Sequence, residues 1–138
     1  MFTGIRKIER YSLICPILLS PLSSSVSAQP ILSLTKNISA QGAYVSGCPQ
    51  WVGSSQMFAS IFYEISFLAQ KEAESRFLMR FRSRAIRNDD DGFALEFFCK
   101  DMILPLSKQC NMSRYEIKAA EMIECMLLTR DFSKFRYH

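Results

Sequence analysis

The features that most constrain this chain are its cysteines and an N-terminal segment with the pattern of an export signal. Basic residues within 6–10 precede an apolar run at 13–22, and small residues at 26–28 offer a signal-peptidase site. We therefore predict that residues 1–28 are a signal peptide and that the mature chain begins at Gln29. The predicted location is outside the cytoplasm, either periplasmic or secreted.

Removal of this segment takes Cys15 away and leaves an even set of cysteines. An even count in a small exported chain is typical of a domain held together by disulfides. Four cysteines allow three pairings, and we predict Cys48 with Cys110 and Cys99 with Cys125.

Metal binding and catalysis fit the same cysteines less well. Zinc sites use closely spaced cysteines and histidines, and the chain has no C-x2-4-C pair and a single histidine, His138. A cysteine nucleophile needs a neighbouring base, and His138 is the only imidazole in the sequence. The sequence therefore predicts no metal, no cofactor and no enzymatic activity.

Chain length limits the number of domains, and net charge limits the kind of partner. Residues 29–138 make 110 positions, enough for one domain with one core. The predicted signal contains three basic residues and one acidic residue, so the 17 basic and 13 acidic residues of the chain become 14 and 12. The net charge falls from +4 to +2. Because a nearly neutral domain gains little affinity for phosphates, we predict no nucleic-acid partner.

The composition changes once along the predicted mature chain. Residues 29–55 are rich in Ser, Gly, Pro and Gln, with one charged residue and no helical period, so we predict an irregular arm. Residues 56–138 carry apolar residues at helical spacing and are predicted to form a helical domain. Tyr44 and Trp51, two aromatic residues of the arm, are candidates for contact with a partner.

Three helices are predicted: about 55–87, about 92–104, and a third that follows Ser113. The first helix changes its apolar face near residues 71–74, which indicates a helix between two layers or a bend; we favour the former. A break there would give four helices. The fold is thus predicted to be all-α, a small three-helix domain stapled by disulfides behind an irregular arm.

Four arginines would share one face of the first helix: Arg76, Arg80, Arg84 and Arg87. Guanidinium groups bind carboxylates and phosphates in a bidentate manner, so this stripe is a candidate docking site for an acidic partner. The alternative is a solvated helix end, where arginines are favoured by the helix dipole.

Two short motifs predict boundaries. Residues 88–92 (NDDDG) lack the ligand spacing of a calcium loop and predict a tight turn that caps the following helix. Ser113 and Glu116 form a capping box, and Met112 with Ile117 a hydrophobic staple, so the third helix is predicted to begin there.

The predicted function is the binding of another protein, as an inhibitor, an immunity protein or a chaperone-like helper. The alternative is a structural or accessory subunit of an envelope or secretion assembly, in which other subunits complete the burial of apolar faces. Membrane contact through the arginines is a third, less favoured interpretation. The oligomeric state is not predicted.

Overall fold

The computed structural model describes residues 14–22, 30–47, 56–64, 76–88, 90–106 and 109–129. Most of them lie in β-strands, so the prediction of an all-α domain is wrong. A 3-10 turn at Gln109–Asn111 precedes the helix α1 (Arg114–Thr129). The strands are β1 (Pro16–Pro21), β2 (Ile31–Ser39), β3 (Gly42–Ser46), β4 (Gln56–Glu64), β5 (Arg76–Asn88) and β6 (Gly92–Pro105).

The strands close into an antiparallel barrel in the order β1-β2-β3-β6-β5-β4, and β4 pairs again with β1. Strands β4, β5 and β6 form a meander, and β3 pairs with β6 rather than with the next strand along the chain. This long-range pairing brings Ser46 opposite Gly92.

The barrel interior is an apolar core built from alternate residues of each strand. Met57, Ala59 and Ile61 of β4 have no exposed surface and lie in one cluster with Ile17 and Leu19 of β1. Successive side chains of a strand point to opposite faces, so the residues between them face outward. The interior is therefore filled by side chains.

A second apolar cluster lies outside the barrel, beneath α1. Leu18 of β1, Phe62 of β4 and Leu78 of β5 are buried together with Ala119 and Met126 of the helix. Strands β1, β4 and β5 are therefore covered on both faces in this part of the barrel.

This double coverage explains why residues 55–87 show a helical stripe, whereas in residues 92–104 the register shifts along β6 interrupt the strand alternation. A strand covered on both faces does not alternate between apolar and polar residues, and a helical stripe can be drawn through it. Residues 56–64 are β4, 76–88 are β5, and 92–105 are β6. The predicted change of face near residues 71–74 lies outside the described residues.

The predicted irregular arm also needs correction, because most of its described residues form β2 and β3. Gly42 and Gly92 allow β3 and β6 to approach closely. A Cβ on Gly42 would collide with the carbonyl oxygen of Leu95, and one on Gly92 with that of Val45. The glycines that indicated a loop therefore serve a strand pairing.

The predicted start of the third helix is confirmed. The N–H of Glu116 donates to Ser113 Oγ at 3.1 Å, and the Ser113 N–H donates to Glu116 Oε1 at 2.8 Å. Met112 is buried in the outer cluster, and Ile117 packs against that cluster. The capping box and the staple thus form as the sequence indicates.

The chain reverses direction between the end of β5 at Asn88 and the start of β6 at Gly92, so the predicted turn is confirmed, but it joins two strands instead of capping a helix. The backbone carbonyl of Asp91 accepts a hydrogen bond from the Gly47 N–H at 3.3 Å. Gly47 has a φ of 79°, a conformation that favours glycine.

Candidate functional site

The four arginines predicted to share a helix face lie instead on β5. Arg76, Arg80 and Arg84 are separated by even numbers of residues, which places them on one face of a strand as well. A bulge at Ile86 shifts the register before Arg87, which pairs with Ala94 of β6. The environments of the four differ. Arg80 belongs to a buried cluster, whereas Arg84 and Arg87 lie on an exposed surface.

Arg80 lies beneath α1 and binds Glu116 in a bidentate manner. Its Nε donates to Oε2 at 2.7 Å, and its Nη2 donates to Oε1 at 2.5 Å. The Glu116 side chain is 3 % exposed and that of Arg80 14 % exposed. This geometry is the one in which guanidinium and carboxylate interact most strongly.

Neighbouring groups complete the hydrogen bonds of this pair. Ser60 Oγ of β4 donates to Glu116 Oε2 at 2.6 Å, and Arg80 Nη2 also donates to the carbonyl oxygen of Asn111 at 3.1 Å. Burial alone would raise the pKa of Glu116, but hydrogen bonds from Arg80, Ser60 and the Ser113 N–H outweigh it and hold the pKa below its ordinary value. The carboxylate is thus ionised, paired and enclosed.

This buried cluster fastens the helix to the barrel. Glu116 accepts hydrogen bonds from β4, from β5 and from the N-terminus of α1, so one carboxylate joins three elements. The Glu116 carboxylate is almost fully enclosed, and the Arg80 guanidinium that pairs with it is largely covered by α1. Arg80 is therefore a structural residue, although it belongs to the predicted docking stripe.

The exposed surface lies on the outside of the β5–β6 hairpin. We call it the hairpin face and define it by Arg82, Arg84, Ile86, Arg87 and Phe98. Ile86 is 55 % exposed and Phe98 45 % exposed, and both occur where the register between β5 and β6 shifts. A bulge inserts an unpaired residue and changes the direction of its side chain, which places these two apolar groups in solvent.

The hairpin face also carries charged side chains. The Arg82 guanidinium lies 6.0 Å from the centre of the Phe98 ring, and its Nη2 donates to Gln56 Oε1 at 3.2 Å. Arg84 Nε donates to Glu96 Oε1 at 3.0 Å, in an exposed pair. Arg87 is also exposed. The hairpin face thus combines an aromatic ring, an aliphatic side chain and a predominance of positive charge.

The other predicted contact residues lie elsewhere. Arg76 Nη1 is 3.8 Å from Glu124 Oε2 of α1, in a surface pair of little energetic consequence. Tyr44 on β3 is partly buried, with Lys36 Nζ 5.5 Å from its ring centre. Trp51 lies outside the described residues. The structure therefore places Arg84 and Arg87 on the hairpin face, and adds Arg82, Ile86 and Phe98.

Sequence reasoning missed Phe98 because its helical projection made it a core residue. The available signal was in β5, where residues 80–85 (RFRSRA) alternate strictly between arginine and smaller or apolar residues. This is the period of a strand with one solvated face. The bulges arise from the pairing of β5 with β6, so the sequence of neither strand alone indicates them.

The predicted disulfide between Cys99 and Cys125 is contradicted, because no two described cysteines lie at disulfide distance. Cys99 on β6 and Cys125 on α1 are both exposed and belong to different elements, not to adjacent helices of a hairpin. Cys110 is exposed in the 3-10 turn. Its proposed partner, Cys48, lies outside the described residues.

Cys15 has a different environment, inside the barrel. It is buried near Tyr63, and burial raises the pKa of its thiol to about 11. Burial, with a further contribution from Cys15, raises the pKa of Tyr63 to about 12. Both groups are therefore neutral at pH 7, and a neutral thiol is a poor nucleophile.

No group of three or more His, Cys, Asp or Glu side chains in the described part of the chain is arranged to hold a metal ion. Among the helical residues that the structure describes, none forms a helix long and apolar enough to cross a membrane. No protein-family model matches the sequence, and no curated protein is significantly similar to it.

Proposed function

We propose that this chain is a non-catalytic protein-binding barrel that contacts its partner through the hairpin face. The observation that carries the proposal is the exposure of Ile86 and Phe98 at strand bulges, among arginines. Bulges are over-represented at functional positions of sheets, where they redirect side chains. Burying these apolar groups against a partner would remove them from water.

The composition of the face suggests the chemistry of the partner. Arginine and aromatic residues dominate the binding energy of protein interfaces, and a desolvated arginine needs a carboxylate. Phe98 would enter an apolar pocket, while Arg82 and Arg87 would pair with acidic residues around it. The partner is therefore a protein with an apolar depression and an acidic rim.

Site-specific photo-crosslinking tests this proposal. A photoreactive phenylalanine analogue replaces Phe98 in the full chain, produced in the cells that naturally make it. The matched control carries the same group at Tyr115, which is equally exposed at 45 % but lies on α1. We expect a protein adduct from position 98 that is absent from position 115 and is lost when Ile86→Ser is added.

Two results would contradict the proposal. Identical adducts from both positions would show that the hairpin face has no selectivity. A position-98 adduct that is removed by nuclease would show that the face binds nucleic acid, since aromatic and basic side chains on a barrel also suit single strands.

A further inference from the structure

The strand β1 lies within residues 1–28, which have the sequence pattern of a removable signal. It closes the barrel by pairing with two strands. Its register with β2 runs from Pro16↔Leu34 to Leu19↔Ile31, and with β4 from Ile17↔Ile61 to Pro21↔Met57. Its backbone is therefore bonded along both edges.

The side chains of β1 are buried on both faces as well. Ile17 and Leu19 have no exposed surface and belong to the barrel core, while Leu18 is buried in the cluster under α1. The strand thus contributes to both cores of the molecule. Because burial of apolar side chains is the main favourable contribution to folding, loss of this strand would destabilise both cores.

Hydrogen bonds also fix the start of the strand. The Cys15 N–H donates to Thr35 Oγ1 at 2.9 Å, and the Thr35 N–H donates to the Cys15 carbonyl oxygen at 2.9 Å. Thr35 itself is buried, so this pair is shielded from water. Without residues 14–22, both of these hydrogen bonds would be lost.

We propose that residues 14–22 are a permanent strand of the folded protein, held in a slot between β2 and β4. Cleavage after Ala28 followed by loss of the upstream fragment is incompatible with this barrel, because it would expose two strand edges and open both apolar clusters. The occupant of the slot is the chain's own apolar run. Its apolar character, which resembles that of a signal, follows from burial on both faces.

Retention of β1 changes the number of cysteines in the folded protein. The folded protein then keeps Cys15 and has five cysteines, an odd number, so the even count no longer indicates two disulfides. The exposed positions of Cys99, Cys110 and Cys125 agree with this reading. The net charge of the folded chain likewise stays at +4 if residues 1–13 are retained with the strand.

A cleavable full-length chain tests the proposal. A specific protease site is inserted between Ser24 and Ser25, the folded protein is cut, and the products are separated by size exclusion without denaturant. We expect the fragment that contains β1 to co-elute with the remainder and to separate only in denaturant. Dissociation of the fragment with loss of cooperative unfolding by the remainder would also support a permanent strand.

The overturning result is a remainder that has lost the fragment but unfolds cooperatively at an unchanged temperature.

Hydrogen exchange on the uncut chain gives a second measurement. We expect the amides of residues 17–19 to be protected as strongly as those of residues 59–61 on β4, and rapid exchange at 17–19 would overturn the proposal even if cutting causes aggregation. Intact mass of the protein isolated from its own cells adds a third, since a folded species that begins at Gln29 contradicts retention.

Discussion

The carboxylate of Glu116 caps the first turn of α1 and also binds Arg80 of β5 in a bidentate manner. The two residues are separated by 36 positions in the sequence. Removing one partner of a buried ion pair leaves the other charge without compensation, and this usually costs more than the pair itself contributes.

We expect Glu116→Gln to lower the free energy of unfolding by about 3 kcal/mol, because the Arg80 guanidinium stays buried without a counter-charge. Denaturant unfolding measures this loss. The control is Glu121→Gln on the exposed side of α1, for which we expect a change within about 0.5 kcal/mol. The double variant Arg80→Met with Glu116→Gln should lose clearly less than the sum of the single changes. Additive losses would show that the two groups do not interact.

Stability should decrease at acid pH, whereas near neutrality the contribution of Glu116 should be present in full and should not vary with pH. The pKa of Glu116 in the folded state lies below its ordinary value of 4.5, so the unfolded chain takes up the proton first as the pH falls. The stabilising contribution is therefore complete above about pH 4.5 and is lost as the pH falls through the folded-state pKa. Urea unfolding between pH 3 and pH 7, with Glu116→Gln for comparison, measures the difference. An equal acid dependence in both proteins would exclude Glu116 as its cause.

The thiols should fall into two classes of reactivity. In a Cys48→Ser background, we expect Cys99, Cys110 and Cys125 to react with a maleimide in the native protein and Cys15 to react only after unfolding. Burial and the raised pKa of Cys15 both suppress attack by its thiolate. Mass spectrometry of labelled peptides before and after denaturation shows which cysteines react in each state. A protein whose exposed thiols become reactive only after reduction would contain disulfides after all.

The close pairing of β3 with β6 should be sensitive to a single methyl group. A Cβ at Gly92 meets the carbonyl oxygen of Val45, which belongs to the backbone and has little freedom to move. We expect Gly92→Ala to destabilise the protein by about 1–3 kcal/mol, the range observed for overpacked sites. Ala94→Ser, on the partly buried outer side of β6, is the control and should have a smaller effect in thermal unfolding. Equal stability of Gly92→Ala and the parent protein would contradict the close approach.

The parts of the structure that the sequence predicted correctly depend on neighbouring residues. The capping box at Ser113 and Glu116 forms within one helical turn, and the turn at 88–92 forms within five residues. Arg76, Arg80 and Arg84 are spaced by four residues, which suits one face of a helix and one face of a strand, so this spacing did not reveal that the segment is a strand. Interactions between residues close together in the sequence were sufficient to predict the capping box and the turn.

The remaining elements were decided by contacts between distant segments. Residues 55–87 fit a helical stripe, yet β4 and β5 pair as strands, because the barrel core covers one face and α1 covers part of the other. Where both faces are covered, as in β4 and the first part of β5, the strand has no polar face and its period cannot be read from its own residues. The exposure of Phe98 depends on a register shift between β5 and β6, and the burial of β1 depends on β2 and β4.

The sequence by itself therefore determined where α1 begins and where the chain turns before β6. Only the tertiary structure decided that the apolar segments are strands, that Arg80 is buried while Arg87 is exposed, and that the apolar run at 13–22 supplies a strand of the barrel. The physical reason is that a helix satisfies its backbone hydrogen bonds within itself, whereas a strand satisfies them only with partners far away in the chain.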